Sequence, residues 1–287
     1  MNRSKWTLLG AMGIFGTIGI FVKFIPLSSA AIAFFRGLLG VAFLLGVILL
    51  GQKKPDLKTI KGHLPILFLS GAAIGLNWVL LFESYKYTSV ATATVCYYLA
   101  PLFLVLASPL LGEKLTPRKL GCVLAALLGL VFVSGMVGGT PPSLVELKGI
   151  FLGIGAAVLY ASVILLNKRL CAVAAYDKTV LQLGASTLVI LPYLFLSEGF
   201  SLPALTGVQW LLLTAVGIVH TGIAYTMYFS SLRNLNAHTI GIFSYLDPVI
   251  AVALSALLLK EPISIWGIIG SMLILGSALY SELPAKK

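Results

Sequence analysis

Apolar runs about as long as a bilayer is thick follow one another from Trp6 to Tyr280, separated only by short polar islands. A helix rises 1.5 Å per residue, so about 20 residues cross the roughly 30 Å hydrocarbon core. Between polar or Pro/Gly breaks, the runs predict spans near residues 5–24, 28–51, 63–84, 89–110 and 117–137, then near 148–170, 177–198, 207–232, 237–259 and 264–283. Hydrophobic residues make up 59% of the chain and charged residues 10%, against roughly 25% charged in an average soluble domain. No water-soluble fold covers that much apolar surface. The expected fold class is an all-α integral membrane protein with ten transmembrane helices, and the connections are too short to hold a soluble domain.

Local signals fit this reading. Thr116 before Pro117 and Ser264 before Ile265 are placed to cap helices, since a side-chain oxygen can accept from a free first-turn amide. The start MNRSKW, with Ser29-Ala30-Ala31 further on, has features of a secretory leader. The apolar run from Trp6 to Val22 is longer than a leader's apolar core, and it reads as the first span. Cys96, Cys122 and Cys171 lie in or beside apolar segments without metal or redox spacing, and are expected to be buried small hydrophobes.

Alternating the spans across the membrane sorts the cations. With the N-terminus on the cytoplasmic side, that side receives Arg3, Lys5, Lys53, Lys54, Lys58, Lys61, Lys114, Arg118, Lys119, Lys168, Arg169, Lys178, Arg233, Lys286 and Lys287. The far side receives Lys23, Lys86, Lys148 and Lys260, while Arg36 falls within a span. Such a bias places both termini in the cytoplasm, with the chain in the cytoplasmic membrane as a multi-pass protein. It also accounts for the net charge of +11 without nucleic acid, because the basic residues are spread over span-orienting loops.

The chain repeats itself at a shift of 147 residues. FESYKYTSVATATVCYYLAP (Phe82 to Pro101) lies without a gap over FSSLRNLNAHTIGIFSYLDP (Phe229 to Pro248), with Phe82/Phe229, Ser84/Ser231, Thr92/Thr239, Tyr98/Tyr245, Leu99/Leu246 and Pro101/Pro248 identical. LLGEKLTPRKLG also matches LLLKEPISIWGIIG after small length changes. The expected units are 1–140 and 141–287, of five spans each. An odd number of spans makes the second unit enter from the opposite side, which is the inverted repeat of secondary transporters.

Asp247 is the sharpest candidate residue. It stands about 11 residues, roughly 16 Å, into its span, close to mid-membrane, where a carboxylate costs about 2.5–3.5 kcal/mol and needs a cavity, a partner or a proton. It is a candidate for proton coupling or for holding a substrate amine, with structural pairing to Arg36 or His220 as the alternative. His220, also near mid-depth, suits a proton relay with Asp247 or the role of a satisfied core histidine. Arg36 cannot neutralise and requires a carboxylate, carbonyls or a substrate carboxylate; structural pairing is its expected role.

Tyr98 and Tyr245 each precede a proline by three residues, about a turn from a carbonyl that the proline leaves free. Such breaks in spans line cavities. Tyr97, Trp78 and Asn77 extend this set into a polar-tipped aromatic wall, with Tyr160 a weaker case, and ordinary packing is the competing account for each. Glu83 and Lys86 are spaced for an ion pair at the far surface. Gly10, Gly13, Gly16 and Gly19, with the pairs Gly71/Gly75 and Gly149/Gly153, read as close helix contacts.

With the repeat, the two Tyr-x-x-Pro sites and the GEKLTPRKLG and KEPISIWGIIG turns, the chain resembles EamA-type transporters of the drug/metabolite transporter superfamily over essentially its whole length. The resemblance implies ten helices in two inverted five-helix repeats and a central cavity lined mainly by helices 1, 3, 4, 6, 8 and 9. It puts Trp78, Tyr98, Tyr160, His220, Tyr245 and Asp247 on cavity-forming helices. Family members commonly carry a Trp near a Gly in the first span; Ile14-Phe15-Gly16 stands here instead.

The resemblance implies export of amino acids or related small metabolites. Uptake of a quaternary amine such as choline is an alternative, as is a lipid-carrier translocase. No HExxH, GxSxG or phosphate-cradling loop occurs, so no enzyme activity, cofactor or metal is expected. The expected partners are a small-molecule substrate and membrane lipid, and the sequence is compatible with a monomer or a dimer.

Overall fold

The computed structural model describes residues 2–51, 55–107, 109, 116–134, 136–137, 141–198, 204–232, 235 and 243–282. Its helices are α1 (Asn2–Lys23), α2 (Ser29–Leu50), α3 (Leu57–Tyr87), α4 (Val90–Tyr97), α5 (Ala100–Leu106), α6 (Pro117–Val133), α7 (Leu144–Lys168), α8 (Ala175–Glu198), α9 (Gly207–Gly217), a π-helical turn (Ile218–Ile223), α10 (Ala224–Leu232), α11 (Leu246–Leu258) and α12 (Ile265–Glu282). The described residues include no strand. Six helices are long and apolar enough to cross a membrane, and three shorter apolar stretches, Val90–Leu106, Leu246–Leu258 and Ile265–Ser281, accompany them.

The helix ends follow local chemistry. The Thr116 hydroxyl accepts from the Lys119 amide at 3.3 Å, and the Ser264 hydroxyl accepts from the Gly267 amide at 2.9 Å. Ser143 and Glu146 close a reciprocal capping box on α7. The third span begins earlier than its apolar run suggests, at Leu57, because Asp56 accepts from the Lys58 and Thr59 amides and caps a polar first turn. The fourth span is two helices, α4 and α5, rather than one. The beginning of the span expected at 237–259 lies outside the described residues, as do Glu113 and Lys114 of the GEKLTPRKLG turn.

In the bundle, α3 packs on α7 and α8, α2 on α8, and α6 on α12. Helix α1 packs on α10 and α11, and α4 on α7 and α11. Small residues permit the closest approaches, as the glycine spacing anticipates. A methyl group added at Gly71 meets Ala185 Cβ at 2.6 Å and Gln182 Cα at 3.0 Å, and one at Gly149 meets the Thr88 backbone nitrogen at 2.9 Å. Gly71→Leu should therefore push α3 off α8 and cost about 1–3 kcal/mol or more, read as a fall in melting temperature in detergent. Gly62→Ala, at a site with nothing within 4 Å, should cause no such fall.

The outward surface is apolar. Leu49, Leu50, Leu144, Phe151, Leu196, Leu211, Leu257 and Met272 are all exposed, which water would penalise and acyl chains solvate. The charged side chains collect instead at the helix ends. Lys86 pairs with Glu83 at 2.8 Å, as the spacing anticipates, Ser29 donates to Glu83 at 2.6 Å, and Lys148 donates to the Tyr87 hydroxyl at 2.8 Å. Lys23 pairs with Glu261 at 3.4 Å. These contacts put the end of α1, the start of α2, the end of α3 and the start of α7 on one face, opposite the N-terminus. Cys96 and Cys122 are buried, but Cys171 is exposed. That corrects the expectation for Cys171, which lies beyond the end of α7 rather than against a neighbouring helix.

Candidate functional site

The helix break between α4 and α5 builds the first part of the site. Pro101 has no amide to give to the Tyr97 carbonyl. The chain turns more tightly through Tyr98 and Leu99, with the Leu99 amide bonded to the Cys96 carbonyl at 3.1 Å, before α5 resumes. The second half has the same device at Pro248, which frees the Ser244 carbonyl. The two breaks meet: the Tyr98 hydroxyl donates to Asp247 Oδ2 at 2.7 Å and lies 3.4 Å from the Ser244 carbonyl oxygen. One hydroxyl hydrogen serves one strong bond, and the shorter contact, to the carboxylate, takes it. The tyrosine of one half is thus bonded to the carboxylate beside the proline of the other.

Asp247 occupies the first turn of α11, where the positive end of the helix dipole favours an anion. Gly16 of α1 makes room for it, since a side chain there would meet the Asp247 carbonyl oxygen at 2.7 Å and Ile250 Cβ at 2.8 Å. The Tyr245 ring lies 6.1 Å from that of Tyr98. Tyr97 stands 5.9 Å from Tyr98 and 5.3 Å from Tyr160, so four tyrosines from α4, α7 and the start of α11 form a continuous aromatic surface beside the carboxylate.

The second part is set by the π-helical turn. Opening the backbone by one residue rotates His220 and Thr221 together onto the interior, and such turns recur at functional sites. His220 is 1% exposed and Thr221 0%. Each reaches five residues back along its own helix: His220 Nδ1 lies 3.2 Å from the Ala215 carbonyl, and the Thr221 hydroxyl donates to the Val216 carbonyl at 3.1 Å. Thr221 also accepts from Arg36 Nε at 2.8 Å. The guanidinium is stacked over the Trp78 ring, 4.0 Å from its centroid.

His220 Nε2 lies 2.8 Å from the Thr17 hydroxyl, which is also 2.8 Å from the Ile14 carbonyl. Because the Ala215 carbonyl can only accept, Nδ1 carries a hydrogen. Neutral His220 then accepts from Thr17. Protonated His220 donates to Thr17, whose hydroxyl turns to Ile14. The site accommodates both protonation states with a hydroxyl rotation.

Of the residues expected from sequence, Tyr98, Tyr245 and Asp247 come together directly, with Tyr160 joined through Tyr97. Arg36 joins Trp78 to Thr221, while His220, the neighbour of Thr221 on the π-helical turn, is bonded to Thr17 instead. Asp247 is bonded to neither Arg36 nor His220, so the alternative that it merely pairs with one of them does not describe this arrangement. Asn77 donates its amide to the Ala156 carbonyl at 2.5 Å and is buried at 2% exposure; it ties α3 to α7. Sequence reasoning missed Thr17, Phe21, Thr221 and Tyr225. Phe21 packs 4.7 Å from His220, and Tyr225 packs 5.5 Å from Phe15. Tyr225 had an available signal, since at the 147-residue shift it lies over Trp78.

A bundle of apolar helices enclosing a carboxylate, a guanidinium, an imidazole and an aromatic wall is a multi-pass membrane protein organised around an interior polar site. The chain belongs to the EamA-like transporter family, whose model matches residues 4–135 and again residues 147–281. Members are transporters, not enzymes. The chain is 34% identical over 247 residues to the uncharacterized transporter YxxF of Bacillus subtilis (strain 168), covering 85% of this chain and 78% of that one. It is 28% identical over 175 residues, 60% of each chain, to the aromatic amino acid exporter YddG of Ancylobacter novellus. A solved crystal structure superposes with a TM-score of 0.67 at 20% identity, covering 98% of this chain and 97% of that one, which is a likeness of fold.

Proposed function

We propose that the protein is a secondary transporter of the cytoplasmic membrane that exports amino acids or related small metabolites by alternating access. The observation that carries this reading is the bond from Tyr98 to Asp247, which supports a carboxylate, read as mid-membrane, at the seam between two duplicated units. The scaffold is read as ten spans in two inverted repeats, 1–140 and 141–287, with both termini cytoplasmic. Helix pairing supports a two-fold relation between the halves, because exchanging them maps most of the principal contacts, α2–α3 excepted, onto another or onto themselves. The α3–α7 contact corresponds to α10–α1, α3–α8 to α2 with α9 and the π turn, and α4–α7 to α11–α1; α2–α8, α6–α12 and α4–α11 map onto themselves.

Asp247 and His220 are the proton-coupling candidates. They are unconnected in this arrangement, so coupling runs through cargo or water rather than a direct bond. Arg36 weighs against a quaternary amine as cargo, since a fixed cation in the same seam repels a substrate that carries no anion. Membrane lipid covers the apolar outer surface. Purified protein in proteoliposomes preloaded with leucine or phenylalanine should accumulate labelled amino acid from outside by exchange, faster than empty vesicles. Exchange of choline but of neither amino acid would refute the reading.

A further inference from the structure

Arg36 remains unexplained by structural pairing. It is 5% exposed and lies roughly 11 Å into a helix that crosses the membrane. A guanidinium there cannot shed its proton and has five N–H donors to satisfy. Among the described residues only Nε is used, by Thr221, while the ring of Trp78 covers one face of the group. Neither Nη group has a hydrogen-bond partner among the described residues, and no carboxylate lies within ion-pair distance: Glu83 is held by Lys86, and Glu261 by Lys23. The groups whose electrostatic influence reaches Arg36 are Tyr225, Tyr97, Tyr85 and Asp247. They come from α10, α4, α3 and α11, so Arg36 lies within electrostatic reach of four other helices, Asp247 among them.

Nε and the ring face fix the guanidinium in orientation, leaving the two parallel Nη donors that fit a carboxylate in bidentate fashion. We propose that Arg36 is the carboxylate anchor of the substrate site and that the cargo is a zwitterion, an α-amino acid whose carboxylate sits on the Arg36 Nη pair while its ammonium faces Asp247. The inference rests on the seam being the substrate site, and goes beyond that reading by assigning the cargo's two charged ends. Arg36 and Asp247 share one interior without bonding each other, and a molecule carrying both charges is complementary to both. Tyr97, 5.9 Å from Tyr98, is placed to meet the substrate's apolar side chain.

The test compares leucine and phenylalanine with their carboxamides, which keep the ammonium and lose the carboxylate, in binding and exchange by wild type, Arg36→Gln and Arg36→Lys. Wild type should prefer each amino acid over its amide by roughly 10- to 100-fold, the value of hydrogen bonds to a charged group. In Arg36→Gln that preference should vanish while the amide still binds. The variant gives up the Thr221 bond and the Trp78 stack but no ion pair among the described residues, so its melting temperature should fall by far less than the loss of a buried salt-bridge partner would cause. If Arg36→Gln does not fold, Arg36→Lys decides: it keeps the charge without the fork, and a preference equal to wild type overturns the anchor. Amino acids carried by Arg36→Gln at wild-type affinity also overturn it while leaving amino-acid transport standing. A wild type that carries amines but no amino acid overturns both.

Discussion

Asp247→Asn should reduce substrate efflux from proteoliposomes by at least roughly tenfold, the smallest effect expected from losing one charged contact, while the protein folds and melts near the wild-type temperature. Asparagine preserves the shape and still accepts from Tyr98, so the 2.7 Å contact that joins the two breaks survives. What is lost is the negative charge and the ability to exchange a proton. The residual rate should therefore be flat across the pH range in which the wild-type rate varies. Tyr98→Phe provides the contrast: it keeps the carboxylate, removes one hydrogen bond and should retain the pH dependence at a lower rate. Wild-type efflux by Asp247→Asn at every pH would exclude coupling through this residue.

The parts of this site that were legible in the sequence are those whose cause is local. A proline within an apolar run frees a carbonyl wherever it occurs, so the breaks at Pro101 and Pro248 and the value of Tyr98 and Tyr245 followed from spacing. A carboxylate in mid-span is costly whatever surrounds it, so Asp247 stood out. The partners were not legible, because they are chosen by tertiary packing. The π turn is an example: Ile218 to Ile223 reads as continuous helix, and only its packing against α2 and α1 reveals the extra backbone residue that turns His220 and Thr221 inward. The stacking of Arg36 on Trp78 depends on α2 meeting α3 at one height, which no periodicity encodes.

The duplication also breaks its own symmetry where the chemistry lies. At the 147-residue shift Asp247 falls on Ala100 and Arg36 on Leu183, whereas Tyr98 falls on Tyr245 and Trp78 on Tyr225. The aromatic frame is duplicated, but each charge is supplied once, the cation by the first half and the anion by the second. On the proposed reading, the duplicated scaffold rocks between two equivalent shapes while the single unsymmetric pair of charges would hold its cargo in one orientation.

Disrupting Glu261 should have an effect of comparable size on access to the site. At the face opposite the N-terminus its carboxylate accepts from the Val90 amide, the first of α4, at 2.8 Å, and from the Ser255 hydroxyl, and it pairs with Lys23 at 3.4 Å. Lys23 also donates to the Tyr85 carbonyl at 2.6 Å, so one cluster fastens the ends of α1, α3 and α11 to the start of α4. Lys260, at φ 54°, takes the left-handed conformation that turns Glu261 back over the bundle. The Lys23 side chain is 35% exposed and that of Glu261 14%, so the ion pair itself contributes at most about 1 kcal/mol. The bond from the Val90 amide at the start of α4, a helix capped by Ser89, contributes about 0.5–1.5 kcal/mol more. Glu261→Ala should accordingly open this face more than Lys23→Ala does. In a Cys171→Ser background, which removes the exposed native thiol, Phe21→Cys introduces a reporter beside His220. A membrane-impermeant maleimide added from that face should label the introduced thiol roughly tenfold faster in Glu261→Ala, the population shift that about 1.4 kcal/mol produces. Equal labelling with and without Glu261 would mean that the cluster fixes helix ends without controlling entry.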